Sequence, residues 1–326
     1  MTGNSWVSKH ELGGRTHPIR SAALVRPRID PYPARTTRGN YFAGQEAIPP
    51  VPPPLVDVQS HASISGAGRN RPSVALVLGG GGLRGFAHVG ILHAIEEAGI
   101  RPDIVVGTSV GAVVGAAYAS GMTAAQIESV ALSVRLSSLI DLTLSRSGIM
   151  RGNKLARWVD TVTAGIPIEK FPLRFAAVAT DLQSGQAVLL DRGSAGSAIQ
   201  SSSALPGLNV PVPHENGYLI DGGITSLVPV RFARAMGADF VIAVDIYCQG
   251  RRAEGLGAAA VVRRVMQTQS CLIAAPEMAE ANVLIAPAIR VSGLSAKDEQ
   301  KLAIQSGYEA ARDALAGVRA EISFQP

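Results

Sequence analysis

One stretch of the sequence restricts the possible folds more than any other: a β-branched run, residues 104–106, followed by Gly-x-Ser-x-Gly with Ser109 at its centre. Small apolar residues come next, so the pattern predicts a strand, a sharp turn and a helix that begins at Val110. Gly107 and Gly111 remove the side chains that would collide in such a turn. The Ser109 hydroxyl would then stand clear of the sheet, beside the positive end of the helix dipole, as a nucleophile that attacks an ester requires.

The motif alone leaves two other interpretations open. The chain has 35 glycines in 326 residues, so a Gly-x-Ser-x-Gly match also arises by chance. Residues 104–127 carry no charge and are long enough to span a bilayer, and Gly111 and Gly115 have the Gly-x-x-x-Gly spacing of packed membrane helices. The change from β-branched residues to alanine and glycine within this stretch favours a strand followed by a helix.

A glycine-rich loop precedes this turn. Residues 73–78 are an apolar run of strand length, residues 79–85 are rich in glycine, and residues 86–98 have apolar side chains at helical spacing. With the next strand they predict a βαβ unit in a parallel sheet. The loops that follow successive parallel strands lie at one edge of the sheet, so we expect the glycine loop to neighbour Ser109.

The loop contains Gly80-x-Gly82-x-x-Gly85, which makes a dinucleotide site an alternative. That site requires an acidic residue at the far end of the second strand, whereas Asp103 stands at its beginning. A P-loop is excluded because Gly-Lys-Ser/Thr is missing. A glycine loop also presents backbone N–H groups that bind an oxyanion, and beside a serine turn we favour an oxyanion hole.

Charge and proline divide the chain into unequal parts. Residues 1–72 contain nine Lys/Arg, four Asp/Glu and ten of the 20 prolines, so the whole net charge of +5 lies there. This part lacks the periodicity of a folded domain, and we predict a flexible arm, either solvated or attracted to anionic lipid or nucleic acid. We assign residues 73–317 to one catalytic domain and residues 318–326 to a tail. At 47% hydrophobic residues, the chain can bury a sizeable core.

The two cysteines, Cys248 and Cys271, are too few for a disulfide framework, and neither stands in a metal-binding cluster. We expect both to be buried apolar residues. This cysteine usage favours a reducing compartment, and hence a cytoplasmic location. Attraction of the basic arm to anionic lipid would add peripheral attachment at the inner membrane surface.

No histidine takes the place that a Ser–Asp–His triad requires. His10, His17 and His61 lie in the arm, and none of the six histidines lies in the C-terminal third of the chain. His88 and His93, on the helix after the glycine loop, are expected to be helix-surface or core residues.

The candidate base is Asp221, which ends the apolar strand 218–220 and precedes Gly222 and Gly223. Asp-Gly is also a common turn dipeptide. The following segment ends in Val-Pro-Val rather than in a return strand, which argues against a simple hairpin turn.

The three motifs in this order resemble those of the patatin-like phospholipases, most closely the compact bacterial members. There, Gly-Gly-Gly-x-Arg/Lys-Gly, Gly-x-Ser-x-Gly and Asp-Gly-Gly/Ala surround a Ser–Asp dyad without histidine. The resemblance covers roughly residues 73–317 and departs from the family at Gln200, where an arginine is usual, and near Ser226, where an asparagine is common.

The resemblance implies an α/β fold with three layers, in which helices flank a mainly parallel central sheet. Ser109 would be the nucleophile and Asp221 the base, in a lipid acyl hydrolase acting on phospholipid or lysophospholipid at a membrane surface. No metal, organic cofactor or nucleic acid is implied. Arg84 would hold the loop or face a substrate phosphate. The residues expected to form the oxyanion and substrate site are Gly80, Gly81, Gly82, Arg84, Gly85 and Val110.

Two alternatives remain at this point: an acyltransferase that uses the same chemistry, and a nucleotide- or lipid-binding protein that uses the glycine loop without turnover. Other patterns predict further elements. We expect helices at 123–134 and 298–315 and one that ends at 201–207, strands at 175–179, 187–190, 239–245 and 283–285, and a segment at 145–154 that borders the site.

Overall fold

The computed structural model describes residues 71–215, 217–250, 255–289 and 297–323. The predicted arm, residues 1–72, lies almost entirely outside the described residues and stays a prediction. At its end, Arg71 forms an ion pair with Asp103 at 2.9 Å, at the start of the folded domain.

The domain is built on one mixed sheet, and its mainly parallel character is confirmed. β3, β2, β1, β7 and β8 are parallel neighbours in that order, β6 and β5 continue the sheet antiparallel beyond β3, and β4 also pairs antiparallel with β3. The strands are β1 (Val74–Leu78), β2 (Ile104–Thr108), β3 (Arg174–Asp181), β4 (Ala187–Leu190), β5 (Val212–His214), β6 (Gly217–Asp221), β7 (Phe240–Val244) and β8 (Val283–Ile285).

Helices cover both faces of the sheet, as the predicted three-layer α/β fold requires. The helices of the described residues are α1 (Phe86–Glu97), α2 (Val110–Ala119), α3 (Ala124–Ser133), α4 (Asn153–Val162), α5 (Ala195–Ser202), α6 (Val230–Ala235), α7 (Ala258–Met278), α8 (Lys297–Ala314) and α9 (Val318–Ser323).

The alternation of side chains along β1 produces two separate cores. Leu76 and Leu78 pack with α1, α2, α5 and α8 on one face, whereas Ala75 and Val77 pack with α6 and part of α7 on the other. Parallel strands buried on both faces consist of nearly continuous apolar residues, which is the pattern of residues 73–78 and 239–245.

The predicted strands and helices all lie at the expected places, within a few residues at their ends. The interpretation of residues 104–127 as a membrane helix is wrong, because this stretch forms β2, the turn, α2 and the start of α3. Helices α4, α6 and α7 and strand β5 were not predicted. Residues 318–323, which the sequence assigned to a tail, form α9, and Val318 and Ile322 are buried in the core.

The expectation of two buried, unpaired cysteines is wrong. Cys248 and Cys271 form a disulfide, with their Cα atoms 5.6 Å apart, and both side chains are only partly buried. The bond joins the loop after β7 to the middle of α7. Cysteine usage therefore no longer supports a reducing compartment, and the predicted location loses that argument.

Candidate active site

The predicted sharp turn lies between β2 and α2, with Ser109 at its tip. Ser109 has φ 54° and ψ −125°, a backbone conformation that residues other than glycine rarely adopt. A side chain at Gly111 would collide with the Leu78 carbonyl at the end of β1, and one at Gly107 would collide with the backbone of Ala112. The two glycines therefore let α2 start close against the sheet and hold the serine in this strained turn.

A second serine fixes the turn from below. The backbone N–H of Ser109 donates to Ser202 Oγ at 2.8 Å, and the Ser202 hydroxyl donates to the Val178 carbonyl at 2.6 Å. Ser202 is fully buried at the end of α5. Its hydroxyl thus links the turn, α5 and β3. The sequence showed only a serine-rich helix end here and did not indicate this role.

Asp221 lies at the end of β6, beside Ser109, and is 7% exposed. Its Oδ1 accepts a hydrogen bond from the Gly223 N–H at 2.7 Å, and the Thr180 hydroxyl donates to its backbone carbonyl at 3.0 Å. The structure thus brings together the two side chains that the sequence selected from segments more than 100 residues apart.

Burial raises the pKa of Asp221 to about 6, although the Gly223 N–H and, more weakly, the Ser109 hydroxyl stabilise the ionised form. The interaction with Ser109 is the weaker of the two hydrogen-bonding influences. An aspartate with this pKa is a better base than an exposed one and is mostly ionised at pH 7.

The glycine loop lies beside Ser109, as predicted, because β1 and β2 are parallel neighbours. One expected donor needs correction: the Gly80 N–H donates to the Leu227 carbonyl at 3.0 Å, so Gly80 anchors the loop. The N–H groups of Gly81 and Gly82 make no hydrogen bond with the described residues. They and the Val110 N–H, at the start of α2, remain candidates for oxyanion donors.

His88 supports this loop from the core and is not a base. It is fully buried, and its Nε2 lies 2.8 Å from the Gly79 carbonyl. Burial lowers the pKa of His88 to about 4, so the ring is neutral at pH 7 and its Nε2–H donates to the carbonyl. His93 contacts Glu128 at 2.7 Å on the helix surface. Among the described residues, no histidine lines the cavity that contains Ser109.

Arg84 does not line that cavity. Its guanidinium lies 5.0 Å from the ring centre of Tyr247, which packs above the end of β7. Asp245 also acts on Arg84 electrostatically, and burial lowers the arginine pKa. Of the two roles expected for Arg84, these contacts support the holding of the loop, whereas the neighbouring Gly85 does line the cavity.

Ser109 and Asp221 open into a cavity of about 660 Å³. This volume lies within the range of about 300–1,000 Å³ that is usual for small-molecule sites. Most of the lining is aliphatic. It comes from α2, α3, α4 and the segment 145–152, which confirms that this segment borders the site. Side chains from these elements include Val113, Ile127, Val130, Ala131, Met150, Leu155, Trp158 and Val162.

Gln200, which stands where the family usually has an arginine, fixes the border segment. Its amide nitrogen donates to the Arg151 carbonyl at 2.8 Å and to the Asn153 side-chain oxygen at 2.9 Å. Gln200 is therefore a neighbour of the cavity wall.

Ser226 connects the turn to a buried carboxylate. The Thr108 hydroxyl donates to the Ser226 carbonyl at 2.8 Å, and the Ser226 hydroxyl contacts both oxygens of Glu277, at 3.0 and 2.9 Å. Burial raises the pKa of Glu277 to about 7, against the opposing effect of the Arg231 backbone N–H, which donates to it at 3.1 Å. The segment after Asp221 is thus held to α7 through Glu277.

Among the described residues, no group of three or more histidine, cysteine, aspartate or glutamate side chains is placed to hold a metal ion. Within the same residues, no helix is long and apolar enough to cross a bilayer.

A strained serine turn, a glycine loop, a buried aspartate and an apolar cavity together form the candidate active site of this α/β domain. Residues 76–234 match the sequence model of the family described as patatin-like phospholipase. Over these residues the chain is similar to the patatin-like phospholipases, and the resemblance inferred from the three motifs is confirmed.

Relatives are similar over the same part of the chain. An uncharacterized NTE family protein of Mycobacterium tuberculosis is 37% identical over 188 residues, which are 57% of this chain and 52% of that protein. The lysophospholipase NTE1 of Coccidioides immitis is 36% identical over 53% of this chain and 11% of its own length. Human patatin-like phospholipase domain-containing protein 6 is 35% identical over 54% of this chain and 14% of its own length.

The chain thus matches about half the length of the mycobacterial relatives and a small part of the two larger proteins. Among solved structures, VipD from Legionella pneumophila has a TM-score of 0.56 at 14% identity, over 76% of this chain and 67% of that chain. At this identity the similarity shows the fold, and it agrees with the predicted three-layer arrangement.

The raised pKa of Asp221 generates a prediction about pH. If Asp221 is the base, kcat/KM for an ester should rise with pH through about 6 and then level off, because only the ionised carboxylate accepts a proton. Asp221→Asn should lower kcat/KM about 100-fold or more and abolish this titration. The control Asp313→Asn changes an exposed carboxylate and should leave the profile intact.

The same pKa predicts the sign of a change in stability. An aspartate whose pKa is raised by folding contributes stability at low pH and loses it as pH rises from about 4 to about 6. The melting temperature of Asp221→Asn, relative to the intact protein, should therefore increase between pH 4 and pH 8. If the relative melting temperature falls over this interval, the folded state does not disfavour the ionised form of Asp221, and its pKa is not raised by folding.

Proposed function

We propose that this protein is a lipid acyl hydrolase that cleaves carboxylic esters of phospholipid or lysophospholipid, with Ser109 as nucleophile and Asp221 as base. One observation carries the proposal: a serine in a strained turn and a buried aspartate with a raised pKa both line one apolar cavity of about 660 Å³. The serine and aspartate account for ester cleavage, and the cavity accounts for a fatty acyl chain.

In the first step, Ser109 Oγ bonds to the ester carbonyl carbon while Asp221 accepts the hydroxyl proton. The tetrahedral intermediate then expels the alcohol, which takes the proton from Asp221 as it leaves. Water attacks the resulting acyl-serine, and Asp221 accepts a proton from this water. It returns the proton to Ser109 Oγ when the fatty acid departs.

The oxyanion requires donors that the dyad itself does not supply. The N–H of Ser109 is occupied by Ser202, and the N–H of Gly80 is occupied by Leu227. This leaves the N–H groups of Gly81, Gly82 and Val110 as the proposed donors. A donor of this kind contributes about 100- to 1,000-fold in rate, and much of the catalysis is expected from it because aspartate is a modest base.

The relatives support this chemistry without defining the substrate. One is named a lysophospholipase and another a patatin-like phospholipase domain-containing protein. An acyltransferase differs only in which hydroxyl compound attacks the acyl-serine. A non-catalytic nucleotide-binding role is disfavoured, because the glycine loop borders an almost wholly apolar space with no basic side chain in its lining. We propose peripheral action at a membrane surface, and the predicted cytoplasmic location stays a prediction.

The proposed activity is tested by release of fatty acid from a lysophospholipid and of chromophore from a short-chain ester. The intact chain should hydrolyse both in the presence of a chelator. Ser109→Ala should lower kcat about 1,000-fold or more, since removal of the nucleophile leaves only oxyanion and binding contributions. Ser203→Ala provides the control, because this neighbouring serine also lines the cavity. Equal rates for the intact chain and Ser109→Ala would refute the proposal.

The cavity predicts a second effect, on chain length. Ala131 on α3 lines the cavity, so Ala131→Phe should occupy space needed by a long acyl chain. We expect kcat/KM for a long-chain ester to fall about tenfold or more relative to a butyryl ester. Ser133→Phe adds the same ring on the exposed side of α3 and should leave the ratio unchanged. An unchanged ratio in Ala131→Phe would place the acyl chain elsewhere.

A further inference from the structure

Helix α7 turns polar side chains toward the protein and apolar side chains toward solvent, the reverse of an ordinary surface helix. Its buried side chains are Gln267, Ser270, Ala274 and Glu277. The exposed apolar side chains recur at helical spacing along the opposite face, and the exposed fraction of each lies between 41% and 69%. They are Val261, Val262, Val265, Leu272 and Ile273.

Contacts of the inner face prevent α7 from rotating to bury these residues. Gln267 Nε2 donates to the Tyr247 carbonyl at 3.0 Å, and Glu277 accepts from the Ser226 hydroxyl. The disulfide from Cys271 to Cys248 holds the middle of the helix. Rotation would break these contacts and leave the buried Ser226 hydroxyl without its acceptor, so the exposed apolar face is a fixed feature of the fold.

The apolar face of α7 lies next to the cavity that contains Ser109. Met266 and Ser270 of α7, with Ile224 from the segment after Asp221, line both the cavity and a neighbouring groove. Leu272 and Ile273 of the exposed face line the same groove. The groove beside the outer face of α7 therefore adjoins the cavity that contains Ser109.

The exposed charged side chains of α7 are both basic, because its one carboxylate, Glu277, is buried. Residues 255–276 contain Arg263 and Arg264 and no acidic residue. Both arginines are exposed, and neither forms an ion pair with the described residues. Arg263 acts electrostatically on Tyr247, which lines the cavity, so positive charge lies near the cavity wall. Apolar side chains flanked by arginine are the pattern of a helix that lies in the interface of an anionic membrane.

We propose that the outer face of α7 docks this protein on an anionic phospholipid bilayer, with its apolar side chains among the acyl chains and its arginines at the headgroups. This inference rests on the proposed function, because the same bilayer would supply the ester that enters the cavity. A second copy of the chain fits less well. A symmetric contact would add a second pair of arginines with no exposed acidic residue on the helix to pair them.

Vesicle binding tests the docking separately from turnover when every protein also carries Ser109→Ala. The vesicles contain equal amounts of phosphatidylglycerol and phosphatidylcholine, and binding is measured by sedimentation. Val265→Glu/Leu272→Glu should lower the partition coefficient about tenfold or more, since it places charge at the apolar boundary. The matched control Leu284→Glu/Leu302→Glu changes two leucines of similar exposure that do not line the cavity, and it should bind normally.

The arginines are tested in the same assay. Arg263→Gln/Arg264→Gln should bind the anionic vesicles about 30-fold more weakly, since each basic residue near such a surface contributes about 1 kcal/mol. Binding to pure phosphatidylcholine should not change. Arg101→Gln alters an exposed arginine far along the chain from α7 and should have no effect.

Three results would overturn the proposal. The first is failure of the intact protein to bind anionic vesicles. The second is binding of Val265→Glu/Leu272→Glu as strong as that of the control, which would assign binding to another segment such as residues 1–70. The third is a dimer, seen by light scattering, that dissociates only in Val265→Glu/Leu272→Glu, which would assign the face to a second copy.

Hydrolysis of a soluble short-chain ester separates docking from the proposed function. With Ser109 restored, Val265→Glu/Leu272→Glu should cleave this ester at the intact rate, because α7 does not supply the dyad. If the intact chain also fails to cleave the ester, the proposed function is contradicted. The vesicle assay then still tests whether α7 docks on the membrane.

Discussion

The backbone conformation of Ser109 is the constraint on which the rest of the site depends. A non-glycine residue at φ 54° costs of order 1–3 kcal/mol, so the surrounding structure must hold it there. The adjacent ends of β1 and β2, the close approach of α2 at Gly111 and the hydrogen bond to Ser202 together do this. The serine hydroxyl thereby lies between the glycine loop and Asp221, which come from opposite sides of the turn.

Burial in an apolar environment serves two purposes at this site. It raises the pKa of Asp221 to about 6, which makes the carboxylate a stronger base while leaving it mostly ionised at neutral pH. In the proposed reaction, the same aliphatic walls would hold the acyl chain and exclude the water that weakens oxyanion stabilisation. Buried polar contacts, from Thr108 through Ser226 to Glu277, hold the segment after Asp221 in place.

Local sequence patterns predicted most of the fold and the centre of the site. The β-branched run before Ser109, the glycine loop and the apolar strand before Asp221 each have the period and the turn chemistry of the element that they form. The order of neighbouring parallel strands then brought Ser109 and the loop to one edge. Each of these elements could be predicted because it depends on a pattern only a few residues long.

The features that the sequence did not predict depend on contacts between distant segments. Helix α7 escaped prediction because its buried face is polar, so the usual amphipathic pattern is reversed. Two cysteines 23 residues apart carry no sign of their pairing until β7 and α7 are placed side by side. Likewise, the roles of Ser202 and of the Gly80 N–H depend on which carbonyls and amides face them in the folded chain.

Covalent capture of the nucleophile tests the central claim most directly. An alkyl fluorophosphonate should react with one serine of the intact protein, and mass spectrometry of the digested adduct should locate it at Ser109. Asp221→Asn should react at least about 100-fold more slowly, because the Ser109 hydroxyl has lost its base. A label on another serine, or equal rates for the intact protein and Asp221→Asn, would contradict the assignment of Ser109 and Asp221 as a catalytic pair.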